Sequence, residues 1–258
     1  MKFVDTHAHI YLSQFQDDIE EVLERSQEAG VDRVFMPNID ESSIDDMFEL
    51  EERYPGYCIP MMGLHPSSVK KDFQRQLYLV EKWVNERKFA GVGEIGTDLY
   101  WDKSFWGQQQ EAIQIQLGWA KEKGWPAIIH CRESIDETIQ IVEDLNDERL
   151  SGIFHCFTGT IDQAKRITEM GFYLGIGGVS TFKNGGMEKI LEEIDLKYLV
   201  LETDSPYLAP APNRGKRNEP AYIPLIANRI AELKSLSLDE VSETTTLNSL
   251  QIFEHYEL

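Results

Sequence analysis

The chain alternates between short apolar runs rich in β-formers and longer stretches whose apolar residues recur at helical spacing. Eight runs of the first kind are Phe3–His7, Arg33–Pro37, Tyr57–Met62, Phe89–Glu94, Ala127–His130, Gly152–Cys156, Phe172–Ile176 and Tyr198–Glu202. Taking His7, Pro37, Gly63, Glu94, His130, His155, Gly177 and Glu202 as markers, successive separations run from 22 to 36 residues. That is the length of a strand, a loop, a helix and a return loop. Ile19, Val22 and Leu23 share one face of a segment that ends at Gly30, a natural residue to follow a helix C-terminus. Ile113, Leu117 and Ala120 repeat the pattern before Gly124. After the last run, Ile223, Ile226, Ile230 and Leu233 predict one more helix, and Leu238, Val241 and Leu250 another. Runs apolar on both faces, alternating with amphipathic helices, imply a parallel sheet.

Polar residues break this pattern at the ends of the runs. Four of the six histidines stand there: His7 and His9 in FVDTHAHI, His130 in PAIIHCRES and His155 in GIFHCFTG. Glu94 in GVGEIGTD and Asp204 in LVLETDSP occupy similar positions. Imidazole and carboxylate are the usual nitrogen and oxygen ligands of a transition metal, and six of them suffice for two ions sharing one carboxylate. Such a pair hydrolyses phosphate esters or amides. Residues i and i+2 of a strand point the same way, so His7 and His9 can meet one ion. Ligand-type residues on the first, fourth, fifth, sixth and eighth runs require the first and last strands to lie close together. An open sheet does not bring them together. The expected fold is therefore an α/β TIM-type (β/α)8 barrel with an extra C-terminal helix and its metal site at the C-terminal ends of the strands. No linker, low-complexity tract or internal repeat divides the chain, so residues 1–258 are expected to form a single domain, with Pro206–Pro220 as the loop after the eighth strand.

Composition narrows the possibilities. A hydrophobic content of 41% with 27% charged residues is ordinary for a protein with a substantial core. There is no stretch of eighteen apolar residues, and Asp5, His7 and His9 interrupt the N-terminus too early for a signal peptide, so the cytoplasm is the expected compartment and no membrane is implied. The three cysteines form no CxxC, and Cys131 and Cys156, each following a candidate ligand, are expected to face the outer helices as packing residues. A net charge of −20 repels polyanions at long range and argues against indiscriminate nucleic-acid binding. Locally the balance reverses, because two divalent ions would outweigh Glu94 and Asp204. No Ser–His–Asp or Cys–His pattern and no phosphate-cradling P-loop competes for the chemistry.

Further candidates surround the ligands. Asp5 and Glu202 each sit two residues before a ligand, placed to orient an imidazole or a water, or else to make buried structural hydrogen bonds. His65 in GLHP points to the same mouth and reads as a substrate or phosphate contact. Arg132 lies two residues beyond His130, in reach of a phosphate oxygen. Arg214, Lys216 and Arg217 form the one dense basic cluster after the eighth run, with substrate contact set against a solvated loop as its two readings. Tyr100–Trp101 and Phe105–Trp106 offer rings on which a base can stack, or ordinary packing.

The motifs DTHAH, GEIGTD, IIHCRE, HCFTG, ETDSPYL and RGKRNEPAY, in this order from Asp5 to Phe253, resemble the TatD family of metal-dependent hydrolases within the amidohydrolase-like barrels. The resemblance implies that His7 and His9 hold the first metal and that Glu94 bridges to a second one bound by His130 and His155. Asp204 would complete the first metal beside a bridging water, whose proton it would take. It implies a deoxyribonuclease that removes nucleotides from 3′ ends of single-stranded DNA. Four histidines and two carboxylates suit zinc, manganese, iron, cobalt or nickel, and members of the family have been treated as magnesium enzymes. One departure is local: where the family has Leu-Asp-Tyr after GEIG, this chain reads Thr97-Asp98-Leu99-Tyr100. An amide, lactone or aminoacyl-ester substrate remains the alternative. Relatives acting on amides and lactones bridge their metals with a carboxylated lysine, and Glu94 leans away from them. A metal-dependent binding protein without activity is the remote alternative, and it would have no need of Asp204.

Overall fold

A computed structural model describes residues 1–256, so the last two residues of the expected domain lie outside the described part. All eight apolar runs overlap a strand: β1 (Phe3–Asp5), β2 (Val31–Pro37), β3 (Cys58–Met61), β4 (Val92–Asp98), β5 (Ala127–Arg132), β6 (Gly152–Phe154), β7 (Tyr173–Ile176) and β8 (Leu199–Leu201). The larger helices are α1 (Ile19–Glu28), α2 (Ile44–Arg53), α3 (Phe73–Glu86), α4 (Trp106–Lys123), α5 (Ile135–Leu145), α6 (Ile161–Glu169), α7 (Glu188–Glu193), α8 (Ile223–Lys234) and α9 (Leu238–Ile252). Helix α4 stops at Gly124, whose φ of 67° places it in the left-handed region that favours glycine, as the sequence pattern predicts. Thr160 and Ser237 start α6 and α9 with reciprocal capping boxes to Gln163 and Glu240.

Parallel ladders join β1, β2 and β3 in one sheet and β4 through β8 in another. Backbone hydrogen bonds span both gaps. Between β3 and β4, Ala90 N donates to Pro60 O, Met62 N to Gly91 O and Gly93 N to Met62 O, each at 3.1 Å. Between β8 and β1, Thr6 N donates to Leu201 O (3.0 Å), Asp204 N to His7 O (2.9 Å) and His9 N to Ser205 O (2.7 Å). The strands thus run round as the expected barrel, and the first and last of them meet.

Alternation along the strands separates two cores. Val4, Phe35, Ile59, Ile128, Ile153 and Val200 point inward and cluster with Phe253. Their neighbours Phe3, Val34, Cys58, Ala127, Phe154 and Leu199 point outward and pack with the helices. Phe253, just past α9, stacks on Phe35 at 3.8 Å between ring centroids and fills the N-terminal end of the ring. Chemistry is left to the opposite end, where the polar residues gather.

Strand β4 differs from the expected Phe89–Glu94. It begins at Val92 and continues to Asp98, because Thr97 and Asp98 still pair with Cys131 and Arg132 of β5. The register slips inside it: Gly93 pairs with Ile128 and Ile95 with Ile129, leaving Glu94 as an extra residue. A bulge of this kind re-aims a side chain. Gly63 is needed beside it, since a Cβ there would lie 2.8 Å from the Gly93 backbone.

Candidate metal centre

The re-aimed Glu94 lies at the middle of the polar cluster and is buried. Its Oε2 stands 3.1 Å from His7 Nε2 and 3.3 Å from His9 Nε2. Its Oε1 stands 2.9 Å from His130 Nδ1, 2.7 Å from His155 Nε2 and 3.3 Å from His65 Nε2. Asp204 Oδ1 lies 3.8 Å and 3.7 Å from His7 and His9 Nε2, on the first side. One carboxylate therefore faces two sets of donors, one with each oxygen. Its backbone is fixed by buried Asn38, whose O accepts from Glu94 N (3.2 Å) and whose side chain ties to Gly63 O and Ser43 Oγ.

The chemistry of the donors fits metal ions. His9 gives its Nδ1 proton to Tyr11 Oη (2.8 Å), because the Tyr11 hydroxyl is already donating to Pro37 O (2.5 Å). His130 gives its Nε2 proton to Asp98 Oδ2 (3.1 Å). Both rings in their neutral form then turn a lone pair inward. His7 and His9 Nε2 come within 3.2 Å of each other, as do His130 Nδ1 and His155 Nε2. Bonds of about 2.0–2.2 Å to one ion place its ligands at about that spacing. Facing lone pairs and a buried carboxylate call for positive charge between them. Three overlapping triads, His7–His9–Glu94, His7–His155–Asp204 and His65–Glu94–His130, lie within reach of an ion.

Electrostatics point the same way. Burial alone would raise the Glu94 carboxyl, but the imidazoles of His155, His65 and His7 outweigh it and hold it well below the usual range. Burial opposes a charge on His155, yet the Glu94 and Glu202 carboxylates push its pKa well above the ordinary value. Burial and the charge of His155, whose ring stacks on His7 at 3.8 Å, drive His7 well below it. Burial lifts Asp204 to about 6, with His155 and His9 pulling the other way. A proton on His155 and a metal ion compete for the same place, so affinity for the ion falls as pH falls.

The other expected residues separate. Glu202 lies with Oε1 3.5 Å from His155 Nδ1 and accepts from Cys156 N at 2.5 Å. Asp5 touches no imidazole ring. Its carboxyl accepts from His7 N (3.2 Å), Thr203 N (3.0 Å) and Thr203 Oγ1 (2.5 Å), so it fastens β8 to β1. His65 reaches the centre itself. Arg132 lines the cavity with its guanidinium 3.7 Å above the Tyr100 ring and 5.5 Å from that of Trp101. Arg214, over Phe182 at 4.4 Å, and Lys216 line it as well. Arg217 does not line it. Both its terminal nitrogens bind Asp18, at 2.7 and 2.6 Å, and it also donates to Gln14 O, which pins the long loop to the start of α1.

Cys131 packs against the outer core as alternation predicts and also borders the cavity, whereas Cys156 lines the cavity instead of facing the helices. Strand β6 ends at Phe154 and Cys156 has φ 47°, so the strand rule no longer applies to it. Burial raises both thiols, Cys131 to about 12, and they are neutral. Of the aromatic quartet, Trp101 is 70% exposed and lines the cavity, whereas Phe105 lies under Lys70. Asp98 is the partner that sequence reasoning passed over. It lies four residues after Glu94 on the same strand face, and that spacing was its signal. The cavity above the centre measures about 880 Å³, room for a nucleotide-sized ligand.

Comparison with known proteins finds relatives over nearly the whole chain. The family described as TatD related DNase matches residues 4–254. The uncharacterized metal-dependent hydrolase YabD of Bacillus subtilis is 37% identical over 96% of this chain and 98% of its own length. The 3′-5′ ssDNA/RNA exonuclease TatD of Edwardsiella piscicida is 28% identical over 97% of this chain and 98% of its own. The crystal structure of YjjV, a TatD homologue from Escherichia coli K12, superposes with a TM-score of 0.92 at 28% identity, covering 98% of both chains. With its barrel, its donor set and these matches over nearly its whole length, the chain belongs to the TatD related DNase family of metal-dependent hydrolases.

Proposed function

We propose that this protein is a two-ion phosphodiesterase that removes nucleotides from the 3′ ends of single-stranded DNA. The observation that carries the reading is Glu94, whose two oxygens face two separate sets of metal donors. His7, His9 and Asp204 with Oε2 would hold one ion, and His130 and His155 with Oε1 the other. Bound divalent ions supply Lewis acidity: they lower the pKa of a water and neutralise charge gathering on phosphoryl oxygens. Asp204 reaches the cavity beside the first donor set and is placed to accept the proton of the attacking water. Asp98 and Glu202 orient His130 and His155 from behind.

The walls favour a nucleic acid. Arg132 and Arg214, each seated on a ring, and Lys216 have no carboxylate partner among the described residues, and all three line the cavity. A neutral amide or lactone has no use for three free cations. Trp101 offers an open ring on which an unpaired base can stack. A relative named as an exonuclease on single strands supports the choice of substrate. None of the described helices is long and apolar enough to cross a membrane, and we place the activity, carried by the chain as one unit, in the cytoplasm.

Single-stranded DNA labelled at its 3′ or 5′ end, incubated with protein and Mn²⁺ or Mg²⁺, tests this reading. Stepwise loss from the 3′ end, abolished by EDTA, is expected. Asp204→Asn, assayed at metal concentrations that fill its weakened site, should lose activity by about 10²-fold or more. Cleavage by Asp204→Asn at the wild-type rate would exclude the proton-accepting role.

A further inference from the structure

His65 comes within reach of a metal together with Glu94 and His130, yet its hydrogen bonds set it apart from them. Its own N donates to Ile39 O at 2.8 Å, and the short turn Pro66–Ser68 follows directly. That turn brings the Ser67 N–H to 3.0 Å from His65 Nδ1, with Ser67 Oγ at 2.7 Å. A backbone N–H can only donate, so Nδ1 must carry a lone pair. The proton of the ring is therefore on Nε2. Nε2 is the atom aimed at Glu94 Oε1, 3.3 Å away, and it opens onto the cavity.

His9 and His130 are wired the other way. Each spends its proton on an outer partner, Tyr11 or Asp98, and turns a lone pair inward. A ring that turns N–H inward cannot ligate through that nitrogen without first losing the proton of a neutral imidazole. The same N–H, beside the bridging carboxylate and facing the cavity, is a ready donor to an anionic oxygen.

We infer that His65 is not a metal ligand but the centre's fixed hydrogen-bond donor, giving its Nε2–H to a phosphoryl oxygen of the substrate. The bond needs no proton transfer: the hydrogen stays on Nε2 throughout. Ser67 is the positioning residue, since its backbone N–H sets the tautomer. The inference rests on the phosphoester reading above and narrows it to one contact.

Three measurements on the whole protein test it. Long-range ¹H–¹⁵N correlation of the metal-free protein should assign His65 the Nε2–H tautomer. Titration with Mn²⁺ should give the same number of bound ions in the wild type, His65→Ala and His65→Gln. Binding of inorganic phosphate to the Mn²⁺-loaded protein should weaken about tenfold or more in His65→Ala, which removes a bond to a charged group. It should recover in His65→Gln, whose amide puts an N–H near the same position. An Nδ1–H tautomer, loss of an ion in either variant, or phosphate binding in His65→Ala equal to the wild type would each overturn the inference. So would a wild type that binds no phosphate. Should His65→Ala not fold, the wild-type spectrum and His65→Gln still decide. Intact DNA together with phosphate binding that depends on His65 would remove the nuclease reading and leave this one standing.

Discussion

Asp98 supports His130 from behind, with Oδ2 on the ring's Nε2 and Oδ1 accepting from Tyr100 N (2.8 Å) and Trp101 N (3.2 Å). Burial would raise its carboxyl, but the His130 bond outweighs that and lowers it, so the group is anionic at neutral pH. One residue thus sets the tautomer of a candidate ligand and shapes the aromatic loop at the cavity wall. Asp98→Asn keeps the size and removes the charge. Metal affinity should fall about 10–100-fold, as for other carboxylates that back a ligand histidine. Isothermal titration with Mn²⁺ checks this, and an unchanged affinity would show that His130 needs no such support.

Between elements, the seam joining β8 to β1 depends on Asp5. Burial keeps a proton on its carboxyl up to about pH 8, despite three hydrogen bonds that favour the anion. The unfolded chain releases that proton near 3.8. Between these values the folded state holds the extra proton, so this group's contribution to stability is full at low pH and is lost as pH rises towards 8. Urea midpoints of the metal-free protein should therefore fall less steeply across pH 5–8 in Asp5→Asn than in the wild type. Parallel profiles would contradict the buried-acid account. This seam was only half legible in the sequence. Apolar periodicity located all eight strands, and the positions of His7, His9, Glu94, His130, His155 and Asp204 at their ends marked the centre. Pairing between Asp5 and Thr203 joins residues far apart in the chain, which periodicity does not report. The left-handed turn at Cys156 and the bulge at Glu94 break the two-residue rule on which the facing of side chains was read. Arg217 was placed by composition in a basic cluster, and only the fold brings Asp18 to it.

Over the whole molecule, charge is divided sharply. The chain carries −20, yet Arg132, Arg214 and Lys216 face the mouth of the cavity without acidic partners among the described residues. On the proposed reading, long duplexes meet repulsion from the acidic body, whereas a single-stranded end can enter beside these three cations. Each cation that neutralises a phosphate on a single strand should add about 0.7 to the salt slope of kcat/KM. Arg214→Gln should flatten the slope by about that amount with little change in kcat, and an unaltered slope would remove Arg214 from the substrate path.

In the proposed mechanism two ions, divided by Glu94, perform the hydrolysis. Stepwise addition of Mn²⁺ to metal-free protein, with bound metal and 3′ shortening of single-stranded DNA followed in one sample, tests it most directly. Two equivalents should bind per chain, with full activity only when both are present, and His130→Ala should bind a single equivalent and give no shortening. Protein that holds two ions and leaves the DNA intact, or that reaches full rate with one, would contradict the mechanism.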